Sequence, residues 1–153
     1  MSGPLQLLAF QLDGQRHAVP LAAVERVVRA VEVTPLPGAP PSVLGFIDAG
    51  GLVLPVFCLR RRFQLALRDI TPVDQFLIMR AGRRMVALVI DEAQGLVECD
   101  SREVERADAT IAGSPQVQGV LKLADGLLLI HDLARFLSLP EERALEQAMG
   151  AAG

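Results

Sequence analysis

The 153-residue sequence has no tryptophan, no tyrosine and only six phenylalanines. Proteins that bind single-stranded nucleic acids stack bases on aromatic side chains in a basic groove. With few aromatic residues and a net charge of −3, the composition argues against nucleic acid as a partner. Only two cysteines are present, Cys58 and Cys99, and they have neither zinc-site spacing nor the number that a disulfide framework needs. They are predicted to be free thiols in a reducing cytoplasm.

The motifs that mark catalytic and cofactor sites are also missing. The sequence has no phosphate-binding P-loop, no dinucleotide-binding glycine pattern, no Cys-x-x-Cys pair and no His-Glu-x-x-His motif. The acidic pair at Asp91 and Glu92, and the pair at His131 and Asp132, have no nucleophile motif beside them. We therefore predict a protein that is not an enzyme, without catalytic residues, a cofactor or a bound metal.

Long apolar segments are absent as well. No apolar run approaches the length of about 20 residues that a membrane-spanning helix needs. The first eight residues lack the basic segment that opens a secretory signal. These absences predict a cytoplasmic protein that does not insert directly into a membrane.

What the sequence does contain is abundant strand-forming apolar residues, most clearly in residues 43–63 (VLGFIDAGGLVLPVFCLRRRF). Two apolar runs flank Gly50 and Gly51, which supply the positive φ angles of a tight hairpin turn. Neither run alternates strictly with polar residues, so both strands are predicted to be buried on both faces, as in a small closed barrel. Pro55 cannot donate a ladder hydrogen bond and is predicted at a strand end or on an edge strand.

An internal repeat is the second signal. Residues 45–63 resemble residues 119–137 at a constant spacing, so that Gly45 falls on Gly119 and Cys58 on Asp132. Residues 7–16 similarly resemble residues 75–84, each a strand followed by glycine and arginine. Such a repeat predicts two similar small β units, each too small to be comfortably stable alone.

The hairpin segment resembles the signature of the CheW-like family, the adaptor domains of bacterial chemotaxis arrays. The family signature has a core in which Leu-Gly, Ile-Asn-Leu-Arg-Gly, Pro-Val and Asp-Leu-Arg follow one another at set spacing. The matching residues are Leu44, Gly45, Ile47, Gly51, Pro55, Val56, Leu59, Arg60 and Phe63. The resemblance implies a mainly β fold of two fused five-stranded SH3-like barrels with short helices and a C-terminal helix.

The resemblance also implies the domain organisation. Residues 1–153 are expected to form a single CheW-like domain. The first barrel is expected at about 13–73, and the second at about 5–12 plus 74–137. The C-terminal helix is expected at about 140–149, where Pro140 opens a run that starts with acidic residues.

The function that the resemblance implies is that of an adaptor in a bacterial chemosensory system, which bridges chemoreceptors and a CheA-type histidine kinase. Its expected partners are the regulatory domain of the kinase, the cytoplasmic tip of a chemoreceptor and other CheW-like domains, at membrane-associated receptor arrays. The contacts would combine a helix in a groove with an apolar contact between barrels. The expected partner-binding residues are Val24, Arg26, Val27, Leu44, Gly45, Ile47, Asp48, Gly50 and Gly51.

Three positions depart from the family pattern. Arg26 stands where the pattern has an acid, Gly50 where it has an arginine, and Cys58 where it has an aspartate. The first two departures change the sign of the local charge near the receptor groove. The alternative function is therefore a divergent CheW-like interaction module, with altered or lost receptor binding, that pairs with another CheW-like domain or a localisation partner. A nucleic-acid binder that uses the arginines at 60–62 and 83–84 is a third reading, which a steep salt dependence of binding would reveal.

Overall fold

A computed structural model of the protein describes residues 3–106, 117–131 and 139–152. These residues form eleven strands, two short 3₁₀ turns and two α-helices. The strands are β1 (Pro4–Leu12), β2 (Gln15–Pro20), β3 (Val24–Arg29), β4 (Val43–Ala49), β5 (Leu52–Phe57), β6 (Gln75–Ala81), β7 (Arg84–Ile90), β8 (Glu92–Asp100), β9 (Glu105–Arg106), β10 (Val117–Leu123) and β11 (Gly126–His131). The helices are α1 (Leu59–Arg62) and α2 (Leu139–Ala152).

The strands pair in two separate sheets. Barrel 1 has the order β3-β6-β7-β5-β4, and barrel 2 has the order β8-β1-β2-β11-β10-β9. In barrel 1, Thr34 bridges to Phe46, which ties the segment after β3 to β4 and closes the sheet on itself. In barrel 2, a 3₁₀ turn at Ser101–Glu103 leads from β8 directly into β9 at the other end of the sheet. The predicted mainly β architecture of two small barrels is confirmed.

The allocation of strands to the barrels differs from the expected ranges. The hairpin β1–β2 belongs wholly to barrel 2, although β2 was expected in the barrel of residues 13–73. The hairpin β6–β7 belongs to barrel 1, although it was expected in the barrel of residues 74–137. Each half of the chain therefore gives its first hairpin to the barrel that the other half builds. The exchange is possible because β7 pairs with β5, and β2 with β11, in parallel. Parallel neighbours are not connected by a tight turn, so the two strands can come from different halves of the chain.

The prediction that both hairpin strands are buried on both faces is wrong for β4, whose residues alternate between buried and exposed, and holds only for residues 54–57 of β5. The strands that divide their side chains between two buried cores are β1 and β6. On β1, Leu7 and Ala9 face the interior of barrel 2, whereas Phe10 and Leu12 face a core that the two barrels share. β6 divides its side chains between the interior of barrel 1 and the same shared core. Each large apolar side chain buried there contributes roughly 1.5–3 kcal/mol. The shared core therefore couples the stability of one barrel to that of the other.

The β4–β5 hairpin turn and the helix near the end of the chain follow their local sequence. Gly50 and Gly51 form the predicted hairpin turn, with φ angles of 67° and 90°. The helix α2 extends beyond the expected 140–149 at both ends and packs Leu145 and Ala148 into the shared core. The expected end of barrel 2 at residue 137 lies outside the described residues. Neither helix in the described part of the chain has the length and apolarity to cross a bilayer.

The position of Pro55 is a correction. It lies inside β5, which has neighbours on both sides in the sheet order, rather than at a strand end or on an edge. The parallel pairing of β5 with β7 begins only at Val56. Pro55 therefore lies just before the hydrogen bonds between β5 and β7 begin. No bond of that ladder needs the backbone N–H that proline lacks.

Candidate functional site

The nine predicted partner-binding residues lie on neighbouring parts of barrel 1. β3 and β4 are the two ends of its sheet, and they approach each other where the Thr34–Phe46 bridge closes the barrel. We call this region, residues 24–29 and 43–51, the seam. Val24, Arg26 and Val27 lie on β3; Leu44, Gly45, Ile47 and Asp48 lie on β4; Gly50 and Gly51 form the turn that follows. The structure therefore brings together two stretches that are well separated in sequence.

The seam residues differ in how far a partner could touch them. Leu44, Asp48 and Arg26 are exposed, as are the two turn glycines, whereas Val24 and Val27 are half-buried. Gly45 and Ile47 are buried inside barrel 1. These last two residues can support a contact surface but cannot themselves be part of it.

Gly45 is required by the closure of the barrel. A Cβ at this position would overlap the carbonyl oxygen of Thr34, because the backbone of β4 approaches the bridge so closely. Its repeat counterpart Gly119 has the same role in barrel 2, where a Cβ would lie 2.9 Å from the carbonyl oxygen of Glu105. Each glycine follows a bulge in its strand. The repeat found in the sequence thus marks the point where each barrel closes.

Arg26 spans the seam. Its Nη2 atom lies 3.8 Å from the place where a Cβ on Gly50 would be, so the side chain extends from β3 to the β4–β5 turn. Asp48, on the same hairpin, accepts a hydrogen bond from the backbone N–H of Gly51 at 2.7 Å. Arg26 and Gly50, two of the three positions that depart from the family pattern, therefore lie within contact distance of one another.

An apolar groove of about 670 Å³ opens beside the seam. Its walls are residues 30–33 after β3, the start of α1 and the loop of residues 67–74. Three of the side chains that line it are unusually exposed for apolar residues: Val31 (56%), Leu67 (55%) and Leu44 (40%). Leu44 belongs both to the predicted partner-binding residues and to the groove. Exposed apolar side chains clustered in a concave surface are typical of a binding site for another protein.

Comparison with known proteins identifies the family. The family model described as a CheW-like domain matches residues 6–141, which is most of the chain. The chain belongs to the CheW-like domain family. Among curated relatives, the chemotaxis protein CheW of Treponema pallidum is 23% identical over 146 residues, covering 92% of this chain and 86% of that protein. The chemotaxis protein CheW of Bacillus subtilis is 26% identical over 129 residues, covering 83% of each.

A solved structure supports the fold of this CheW-like chain. The scaffolding protein TtCheW from Thermoanaerobacter tengcongensis superposes with a TM-score of 0.78 at 23% sequence identity. The superposition covers 87% of this chain and 94% of that one. The two-barrel architecture is therefore that of the CheW-like fold.

Two arginines that line the groove of this CheW-like chain, Arg60 and Arg68, belong to a network of ion pairs. Arg68 donates to both carboxylate oxygens of the buried Asp74, at 2.7 and 2.8 Å, and to Asp91 at 2.9 Å. Arg60 donates to Asp91 at 3.0 Å and to Asp13 at 3.1 Å. The hydrogen bond from Arg68 holds the pKa of Asp74 below its usual value. Because Asp13 belongs to barrel 2, the network also ties the groove to the second barrel.

A buried histidine pair at the junction of the barrels is the feature that sequence reasoning missed. A histidine in a predicted strand such as residues 17–19 is expected to be half-exposed. His17 is instead buried, and its Nδ1 atom lies 2.8 Å from Nε2 of the equally buried His131. Phe10 and Phe63 stack against the pair, with centroids 4.9–5.6 Å from the imidazole rings. Burial lowers the pKa of His17 to about 4 and that of His131 to about 3, so both rings are neutral at pH 7.

The repeat contained a signal for this pair. Ala18 pairs with Ile130 in barrel 2 as Ala87 pairs with Val56 in barrel 1. His131, which follows Ile130, therefore corresponds to Phe57, a fully buried core residue.

Within the part of the chain that the structure describes, no three His, Cys, Asp or Glu side chains are grouped closely enough to hold a metal ion.

Proposed function

We propose that this CheW-like chain is a non-enzymatic adaptor of a bacterial chemosensory system, bridging chemoreceptors and a CheA-type histidine kinase. Relatives along most of its length are named chemotaxis protein CheW, and a protein of the same fold is named a scaffolding protein. The partners in the proposal are the regulatory domain of the kinase and the cytoplasmic tip of a receptor. The proposed place of action is the cytoplasmic side of membrane-associated receptor arrays.

The observation that carries the proposal is the exposed apolar groove beside the seam. A groove of about 670 Å³ with Val31, Leu44 and Leu67 uncovered has the character of a site that receives the apolar face of a helix. A few such anchors supply most of the binding energy in protein interfaces, and the polar rim excludes water around them. The charged network of Arg60 and Arg68 gives the groove that polar rim on one side.

The test is to replace Leu44 with glutamate and to measure binding by calorimetry. The probes are the receptor tip fragment and the kinase regulatory domain encoded in the same genome. Burying a carboxylate in an apolar contact is costly, so affinity for the groove's partner is expected to fall at least about tenfold. Leu127→Glu is the matched control, because Leu127 is exposed to a similar extent (48% against 40%) on a hairpin of barrel 2.

Three results would contradict the proposal. If the unaltered protein binds neither probe, it is not an adaptor between these partners. If it binds neither but binds a second CheW-like domain, the divergent interaction module is the better description, as the changed residues Arg26 and Gly50 already suggest. Equal losses in Leu44→Glu and Leu127→Glu would show that the groove is not a distinct site.

A further inference from the structure

Leu67 is an exposed apolar side chain that a charged network holds in place. It lies on the wall of the apolar groove, in the loop before β6, and is 55% exposed. On one side of it, the carbonyl oxygen of Ala66 accepts a hydrogen bond from Nη1 of Arg60 at 3.2 Å. On the other side, the side chain of Arg68 donates to Asp91 at 2.9 Å. The chain is therefore tied down on both sides of Leu67, which keeps this side chain presented to solvent.

One carboxylate joins the two ties. Both oxygens of Asp91 accept from Nη2 of Arg60 at 3.0 Å, and one of them also accepts from Nη2 of Arg68. The other oxygen accepts from the backbone N–H of Asp13 at 2.9 Å, and the N–H of Asp91 itself donates to the carbonyl of Gln11 at 3.0 Å. These last two bonds attach the carboxylate to β1 and the turn after it, so the groove loop is positioned by a residue that barrel 2 holds.

Leu44, another exposed leucine of the groove, is held in a different way. It lies on β4, whose backbone pairs with β5 within barrel 1. The hydrogen bonds of Asp91 given above run to α1, to the groove loop and to barrel 2. The position of Leu44 should therefore not depend on Asp91, whereas that of Leu67 should. The two leucines form a matched pair that face the same groove.

The lining of the groove favours a helix as its occupant. Of the described residues that line it, only Leu44 and Val89 lie on strands, and the others belong to loops and α1. A barrel that docks by adding a strand needs a free strand edge, which this lining does not provide. A helix satisfies its backbone groups internally and needs only apolar anchors from the groove. Of the two proposed partners, the receptor tip is the helical one.

We propose that Asp91 is a positioning residue for receptor binding, which holds Leu67 through Arg60 and Arg68 in the place where it contacts an apolar side chain of the receptor tip. This inference rests on the proposed adaptor function and commits the groove to the receptor. An anchor that is fixed before binding loses little conformational freedom on binding, whereas a freed loop must be ordered at that moment. Asp91 thus affects affinity although it is not one of the described residues that line the groove.

The test is a double-mutant cycle measured by calorimetry, with the receptor tip fragment encoded in the same genome as the probe. Leu67→Ala alone should weaken binding about tenfold, as truncation of an interface anchor does. Asp91→Asn alone should weaken it about fivefold, because the loop is released. In the Asp91→Asn background, Leu67→Ala should cost less than about threefold, since the leucine is no longer presented to the receptor.

Two controls accompany the cycle. Leu44→Ala shortens an exposed leucine of the same groove, and it should cost the same factor, within about twofold, with and without Asp91→Asn. Asp125→Asn removes a paired carboxylate elsewhere, because neither Asp125 nor its partner Arg16 is among the described residues that line the groove. That change should leave the affinity within about twofold.

Circular dichroism must show that each variant is folded. If Asp91→Asn is not, Arg68→Lys takes its place in the cycle with the same expected result. The guanidinium group of Arg68 binds Asp74 with two nitrogens while it also binds Asp91, and a single ammonium group cannot replace all of these bonds.

The outcomes distinguish this inference from the proposed function. If the unaltered protein binds the receptor tip and Leu67→Ala costs nothing, or costs the same factor in both backgrounds, the inference is wrong and the adaptor function stands. If the costs of Leu67→Ala and Leu44→Ala shrink together, Asp91 supports the whole groove rather than Leu67, and the inference is again wrong. If the unaltered protein does not bind the receptor tip, both the inference and the bridging function are wrong.

Discussion

Acidification should destabilise this protein through its buried histidine pair. His17 and His131 are 4% and 3% exposed, and burial lowers their pKa values to about 4 and about 3. In the unfolded chain both groups titrate near the ordinary value of 6.5. The unfolded state therefore takes up two protons, and the folded state almost none, as the pH falls from 7.5 to 5.

The size of the effect follows from linkage. Each pH unit below 6.5 costs about 1.4 kcal/mol per histidine until the folded-state pKa is reached. At pH 5 the loss is thus about 2 kcal/mol per ring and about 4 kcal/mol for the pair, a large share of the 5–15 kcal/mol by which typical domains are stable. The stability that the neutral rings contribute is fully present above pH 6.5 and is lost on acidification toward pH 4. Asp74 adds little in this window, because its ordinary pKa of 3.8 already lies below pH 5 and its folded-state pKa is lower still.

Urea denaturation followed by circular dichroism at pH 7.5, 6.5, 5.5 and 5 measures this directly. The best comparison is the double variant His17→Val with His131→Phe, which places in barrel 2 the residues found at the matching positions Val86 and Phe57 of barrel 1. Because the chain has only two histidines, the variant has none and should lose most of the slope. It should also be more stable at pH 5, since the rings leave His17 Nε2 and His131 Nδ1 without hydrogen-bond partners among the described residues. A flat profile in the unaltered protein, or an unchanged slope in the variant, would refute the reasoning.

Two further predictions concern closure and the ionic network. Gly45→Ala should lower the free energy of unfolding by about 3 kcal/mol, because the new methyl group meets the carbonyl oxygen of Thr34. Gly150→Ala, which has open space around it on α2, should be neutral or slightly stabilising, and equal urea midpoints for the two variants would contradict the explanation. Asp91→Asn should cost about 2–3 kcal/mol, since its carboxylate accepts hydrogen bonds from two arginines. The exposed pair at Asp125 supplies the control: Asp125→Asn should cost less than about 1 kcal/mol, and the network is unimportant if the two losses match.

Local signals in the sequence were sufficient for the elements. Gly50 and Gly51 predicted the hairpin because only a few residue types adopt its φ angles. The unbroken apolar runs predicted the strands, but not that β4 alternates between buried and exposed residues. The match between Gly45 and Gly119 was visible in the sequence as part of the repeat, but only the structure shows that both glycines lie where a barrel closes. The nine seam residues were grouped by resemblance, and the structure shows which of them, such as Ile47, are buried and which are exposed.

The features that local signals missed depend on contacts between distant parts of the chain. Nothing within β1–β2 or β6–β7 encodes which barrel the hairpin joins, since the choice is made by parallel pairing with a strand of the other half. His17 appeared half-exposed because polar residues on strands usually face water, and only alignment of the repeat pairs His131 with a core phenylalanine. Arg60 on α1 likewise pairs with Asp91 after β7, and the composition of the sequence does not indicate this contact.

The exchanged hairpins have a mechanical consequence. The backbone passes from barrel 2 to barrel 1 through only a short 3₁₀ turn at Leu21–Ala23, and returns from β7 to β8 through the single residue Asp91. With two covalent crossings this short, neither barrel can swing or slide on its neighbour unless a strand leaves its sheet. A molecule bound to one barrel would thereby be held at a fixed distance and angle from a molecule bound to the other.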